Sequence, residues 1–342
     1  MKSITCRVAL AGASLVMAGA ALFASVAPAG SSQTPGVNGK IAYSLSDSSS
    51  QSSIHLIDPD GSHDTLLVAD GIGGGFDASG TTMSYVTYFQ GNGNSLHVIH
   101  TDGTGDVTIA SRSGNANIGF SALSPDASRV AYSAYDNSVY DLWISGVDGS
   151  NPTNLTGGQY GLIQWPQFSP DGTTLSFTGA NGPMSQQIFL VDLSTLVITQ
   201  LTHSNFGIGF PSWMPDGSGF VASVASGIAP AILSISRDGS TVTTLFDYGT
   251  IAVGSFYSVM PSPDGTKLVF MTSTNVPGSL NDPQTVLGLS VWTSNLDGTN
   301  ATVLVPTGTL DPAFPVWASA GPLPTTTTTT AAPTPVTPKI TG

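Results

Sequence analysis

Trp165 to Phe168 is a short run of strand character, and Leu175 and Phe177 alternate with polar neighbours a few residues later. That period of two belongs to a half-buried strand. Ser169-Pro170-Asp171-Gly172 lies between the two runs. Pro170 presets φ for the second turn position, Asp171 suits the third, and Gly172 can take the positive φ that rejoins a strand. The stretch predicts a hairpin.

The hairpin recurs. Met214-Pro215-Asp216-Gly217, Ser262-Pro263-Asp264-Gly265 and Ser124-Pro125-Asp126-Ala127 repeat the turn, and Asp77-Ala78-Ser79-Gly80 is a degraded copy. The last turn residues, 80, 127, 172, 217 and 265, are 47, 45, 45 and 48 positions apart. A second turn alternates with the first. Asp60-Gly61, Asp102-Gly103, Asp148-Gly149, Asp238-Gly239 and Asp297-Gly298 each follow a short apolar strand, with Leu193-Ser194 at that place in the fourth repeat. Thr-rich alternation follows each turn, as in Thr153-Asn154-Leu155-Thr156. One period therefore holds four short strands, the signature of a β-propeller blade.

Residues 38–321 resemble the Pro-Asp variant of the WD repeat found in the TolB propeller and in the propellers of prolyl oligopeptidase relatives. A β-sandwich with regular turns is the competing architecture, but sandwiches rarely hold so constant a period. Residues 39–69 match a blade without its first strand, and Phe314-Pro315-Val316-Trp317-Ala318 copies Phe210-Pro211-Ser212-Trp213-Met214. The expected fold is all-β: a six-bladed propeller of four-stranded blades, its ring closed by the C-terminal strand joining the N-terminal blade. Closure of that kind removes free edges.

The ends read differently. Residues 1–29 have the form of a secretory signal, with Lys2 and Arg7 before an apolar stretch and Ala27-Pro28-Ala29 as cleavage site. Residues 30–37 form a short leader. The lone cysteine, Cys6, lies within the signal, so no disulfide is expected after cleavage. Residues 322–342 are rich in Thr and Pro and cannot bury a core; they read as an extended stalk or spacer, open to O-glycosylation. The expectation is a secreted, periplasmic or cell-wall-associated monomer with no membrane insertion after signal cleavage.

All 21 acidic residues are Asp, which suits turns, and no Glu is present. After signal removal six Lys and Arg stand against those 21, a balance of −15. Nucleic acid binding demands a basic face, and this chain has none.

Chain direction puts every tight turn on one end of the ring. The opposite end receives the varied loops, where function on a rigid scaffold usually lives. Its candidate ligand contacts are Tyr88, Phe89, Tyr135, Tyr160, Phe206, Tyr248, Phe256 and Tyr257. Asn275, Asn281 and Asp282 join them from the longest insertion, 273–285. Aromatic side chains around a funnel suit a peptide, protein or glycan. The same rings could instead pack between blades. His55 and His97 occupy a slot filled by Trp143, Phe189, Leu233 and Trp292 elsewhere, which favours a structural role between blades. His63, His100 and His203 show no metal-ligand spacing. Neither a nucleophile elbow nor a calcium loop is present, and no cofactor or metal is expected. TolB carries an additional N-terminal domain that has no counterpart in this repeat, so the resemblance brings no partner with it. The sequence reads as a non-catalytic protein- or glycan-binding module. The alternatives are a hydrolase or lyase with its site in the central funnel, and a structural spacer on a Thr/Pro stalk.

Overall fold

The computed structural model describes residues 36–46, 52–87, 93–114, 116–136, 139–180, 186–226, 229–247, 255–274, 288–306 and 311–322. These residues form strands and no helix. Blade 1 holds β1 (Gly36–Ser46), β2 (Ser52–Ile57) and β3 (Thr65–Val68). Blade 2 holds β4 (Ile72–Phe76), β5 (Thr82–Val86), β6 (Ser95–His100) and β7 (Val107–Ser111). Blade 3 holds β8 (Asn117–Leu123), β9 (Arg129–Asp136), β10 (Val139–Gly146) and β11 (Thr153–Asn154). Blade 4 holds β12 (Ile163–Phe168), β13 (Thr174–Gly179), β14 (Gln187–Asp192) and β15 (Ile198–Gln200). Blade 5 holds β16 (Gly207–Trp213), β17 (Gly219–Ser226), β18 (Ala231–Ser236) and β19 (Val242–Asp247). Blade 6 holds β20 (Ser255–Pro261), β21 (Lys267–Thr274), β22 (Gly288–Asn295) and β23 (Thr302–Val305). The last strand, β24 (Asp311–Pro322), pairs antiparallel with β1 and completes blade 1 as its innermost strand. Trp317 stands opposite Ile41, and the ladder continues to Gly36 opposite Pro322. The expected ring closure is present.

The Pro-Asp-Gly turns have a local cause. Asp171 Oδ1 accepts from Ser169 Oγ at 2.6 Å, Thr173 Oγ1 at 2.7 Å and the Thr173 amide at 3.0 Å. Ser169 Oγ in turn accepts the Thr174 amide at 3.0 Å. Gly172 takes φ +67°, and Gly80, Gly217 and Gly265 take +70°, +71° and +72° at the same place. The third copy uses Ala127 there, at φ +55°.

Apolar alternation is spent between blades. Six clusters of buried residues form, one at each blade–blade contact. Tyr43, Ile41 and Trp317 of blade 1 pack on Val269 and Val291 of blade 6. Phe177 and Phe189 of blade 4 pack with Leu142 of blade 3. Such contacts hold the ring at fixed spacing and so fix what the innermost strands present to the axis.

Candidate functional site

Each innermost strand is interrupted by a bulge. The register slips between Gly73 and Phe76, Ile118 and Ser121, Gln164 and Gln167, Gly209 and Ser212, and Phe256 and Val259. It also slips in β24, where Ala313 faces Ser44 but Val316 faces Ala42. A bulge re-aims a side chain and frees backbone groups. Small hydroxyls of the second strands meet several of the freed groups: Ser133 Oγ accepts the Phe120 amide at 3.0 Å, and Ser84 Oγ accepts the Gly75 amide at 3.2 Å.

The re-aimed residue lies four positions before the first turn residue. In blades 3, 4, 5, 6 and 1 it is Phe120, Trp165, Phe210, Ser258 and Phe314; in blade 2 that position, Gly73, stays paired with Tyr85 and the bulge falls on Gly74 and Gly75. Trp165, Phe210 and Phe314 sit at φ +55°, +51° and +50°, and each precedes a proline. Left-handed backbone costs an L-residue about 1–2 kcal/mol. Three such residues at equivalent places are a strain repeated by design, of the kind that clusters at ligand sites.

The four rings meet at the axis. Phe120 and Trp165 have centroids 3.5 Å apart, and Trp165 and Phe210 are 4.2 Å apart. Trp165 also reaches Phe314 of the opposite blade, at 5.5 Å. Phe120 touches Phe314 at 5.9 Å, in front of the blade that offers Gly73. Tyr257 extends the group, edge-on to Phe210 at 6.4 Å. Rings from opposite blades in contact form a plug across the channel.

Between this plug and the turn end lies a cavity of about 230 Å³, bounded by Gly73, Phe120, Trp165, Phe210, Phe314 and Trp317 and reaching Asp77, Pro263 and Ser319 at its mouth. Asp77 is the one ionisable side chain among the described residues of its wall. Its carboxylate is already engaged by the Thr81 and Thr82 amides, each at 3.0 Å, and by the Ser79 hydroxyl. Gln167 and Ser212 supply neutral polar atoms, bonded to each other at 3.3 Å. The wall can stack on a ring and bond a neutral polar group; it presents no uncommitted acid or base.

The turn end around the mouth is acidic. Hydroxyl donation by Ser124, then by Ser128 with its amide, holds Asp126 down at about 2. At Asp171 burial, the largest influence, pushes the carboxyl up. Donors from Ser169 and Thr173, with Arg237, outweigh it and bring the group to about 2. Asp264 behaves likewise: burial raises it, and the donors from Ser262, Thr266 and Asn38 lower it on balance. These carboxylates stay charged at neutral pH.

The loop-end residues predicted from sequence scatter. Phe256 is a correction: it is 2% exposed, wedged against Phe246 and Phe270, and belongs to the core rather than to a funnel rim. Its position in β20 turns it toward blade 5, as strand alternation requires. Tyr160 packs edge-on against Phe177 and Phe189, and Phe206 packs on the cluster of blades 4 and 5. Tyr135 stacks with Tyr140 at 4.8 Å. Tyr257 alone of the set joins the central aromatic group. Tyr88, Phe89, Tyr248, Asn275, Asn281 and Asp282 lie outside the described residues.

Sequence reasoning passed over Phe120, Trp165, Phe210 and Phe314, although the aromatic-Pro pair at one fixed distance from the turn, in three repeats, was a usable signal. The two histidines bond within their own blades, whereas a place between blades was expected. His55 Nδ1 meets Asp64 Oδ1 at 3.2 Å, and Tyr43 donates to the other oxygen of that carboxylate at 2.8 Å. His97, Asp106 and Tyr85 repeat the arrangement at 3.2 and 2.9 Å. The imidazoles are 19% and 14% exposed, and neither lines the cavity.

Fold and site together define a closed six-bladed propeller with a plugged axis and a one-sided pocket. Residues 68–309, well over half of the chain, match the TolB beta propeller domain, and the chain belongs to that family. An uncharacterised protein of Agrobacterium fabrum is 30% identical over 158 residues, which cover 43% of this chain and 52% of that protein. The chain thus spans about half the length of that relative. TolB from Acinetobacter baumannii superposes with a TM-score of 0.68 at 18% identity, over 82% of this chain and 66% of that one. A chain of a nidogen/laminin complex superposes with a TM-score of 0.62 at 11% identity, over 82% of this chain and 99% of that one. At such identities the solved structures speak for the fold alone.

Proposed function

We propose that this protein is a non-catalytic binding propeller, and that its ligand enters the cavity from the turn end. The observation that carries the reading is the convergence of Phe120, Trp165, Phe210 and Phe314 at the axis, the last three of them on left-handed bulge backbone. The ligand is a protein or glycan segment that presents an uncharged ring or apolar side chain, because the wall is aromatic and its single carboxylate is engaged. The acidic rim disfavours polyanions. A chain in a nidogen/laminin complex shares the architecture, which supports a role in protein recognition. The reading places the protein at the cell envelope or outside it, on the strength of Lys2, Arg7 and Ala27-Pro28-Ala29.

The test builds a side chain onto the cavity wall at Gly73. A Cβ at Gly73 would meet only Met83 Cε within 4 Å, at 3.5 Å, so the backbone accepts a side chain there. Peptide and glycan arrays are probed with labelled wild type, Gly73→Ala and Gly73→Phe, after unfolding curves have confirmed that all three fold. The expected result is signal retained by Gly73→Ala and reduced at least tenfold by Gly73→Phe. Equal signals for wild type and Gly73→Phe would remove the cavity from consideration.

A further inference from the structure

The reading above leaves the occupant open, and the exit of the chain points to one. Ser319 lines the cavity mouth, and β24 ends three residues later at Pro322, paired with Gly36. The 20 residues that follow therefore start at the mouth. Their sequence includes Pro335-Val336-Thr337-Pro338-Lys339. Two prolines at that spacing, in a segment without acidic residues, form the kind of ligand that aromatic-lined grooves accept as a polyproline II helix. The cavity supplies the groove, with Trp165, Phe210 and Phe314 each backed by its own proline.

We propose that the segment Pro335–Lys339 docks in the turn-end cavity of its own molecule and competes there with external ligands. This rests on the reading of the cavity as a binding site. Charge supports it: Lys339 is the one ionisable side chain of the segment after Pro322, and the turns at that end of the ring carry Asp126 and Asp264 with carboxyls held below the ordinary range. Length supports it as well. Twelve residues lie between Pro322 and Pro335. In extended polyproline form they span about 40 Å, ample to turn back over one end of a propeller.

The experiment uses the full chain. A fluorescent peptide of residues 331–342 is titrated into wild type and into a full-length Pro335→Ala/Pro338→Ala/Lys339→Ala variant, with anisotropy as readout. The variant's cavity is vacated, so the expected result is peptide binding at least tenfold tighter than to wild type. A peptide carrying the same three alanines should lose that binding, and added salt should weaken the intact peptide several-fold. Adding Gly73→Phe to the variant should abolish binding. Equal affinity for wild type and variant, absence of binding to the variant, or binding that survives Gly73→Phe each overturns the proposal. If the peptide fails while array ligands still depend on Gly73, only the tail docking falls. If the array signals also ignore Gly73, the cavity reading falls with it.

Discussion

Ala127 is the exception among the Pro-Asp-Gly turns, and it gives the turn chemistry a quantitative test. Its φ of +55° matches the +67° to +72° of the glycines at the equivalent sites. The bonding is the same: Ala127 N donates to Ser124 O at 2.9 Å, as Gly172 N does to Ser169 O at 2.8 Å. Ala127→Gly therefore changes backbone cost and little else. Relief of the left-handed conformation is worth about 1–2 kcal/mol. Against it stand about 0.5–1 kcal/mol of extra unfolded-state entropy for glycine. A further few tenths are lost with the methyl, which packs partly on the core of blades 2 and 3. The net is a gain of about 0.5 kcal/mol. Gly265→Ala runs the comparison in reverse at a site where the new Cβ has no atom within 4 Å. It should cost about 1 kcal/mol, so the two variants should differ by about 1.5 kcal/mol. Urea titrations of both variants and wild type resolve a gap of that size, and the melting points should separate by a few degrees. A Gly265→Ala protein as stable as wild type, or an Ala127→Gly protein less stable, would refute the claim that these turns are governed by the sign of φ.

Other consequences can be measured directly. Removing 312–342 takes away the innermost strand of blade 1 and should prevent cooperative unfolding of the ring, whereas removing 323–342 should lower the melting point by only a few degrees, the loss of the docked tail; equal melting of both truncations counts against closure by β24. His97→Phe should cost less than His97→Asp, which sets a second carboxylate against Asp106 in a pocket where the imidazole is 14% exposed; similar melting of the two would show that the site is solvated. Acid should weaken the fold only at low pH. Asp126, Asp192 and Asp238 are held at about 2, first by hydroxyl donors from Ser124, Ser194 and Ser236. Lowered carboxyls contribute fully above the unfolded value of about 4 and lose that contribution as pH falls toward 2. Melting points flat from pH 5 to 2, or a loss already complete at pH 5, would contradict these assignments.

Much of the ring was legible because its causes are local. A Ser or Met, a Pro, an Asp and a Gly in succession dictate a turn whatever surrounds them, and their spacing counts the blades. The half blade at 39–69 could be matched to 314–318 because one copied strand was enough to recognise. The site was harder. Trp165 and Phe314 lie 149 positions apart and touch only because the ring brings opposite blades together. Loop aromatics looked exposed because loops are usually exposed, yet Tyr160 and Phe206 close over interblade clusters. Phe256 adjoins a varied link in the sequence but belongs to β20, where it faces Thr272 in the ladder.

The repeats disagree at one place on the axis. Residues that shape the turns are nearly the same in every blade, and the stability they confer is shared around the ring. The position four residues before the turn is not the same: four blades give an aromatic side chain, one gives Ser258, and one gives Gly73. Six aromatics could not fit on one axis without forcing the blades apart, and six small residues would leave an open channel. Four rings close the channel, and the two small residues leave room beside them on the wall. The resulting pocket has an aromatic floor and no rotational symmetry. A repeat scaffold can vary its axis in this way at little cost to its fold, because most of the substitutions fall where the strands are already bulged.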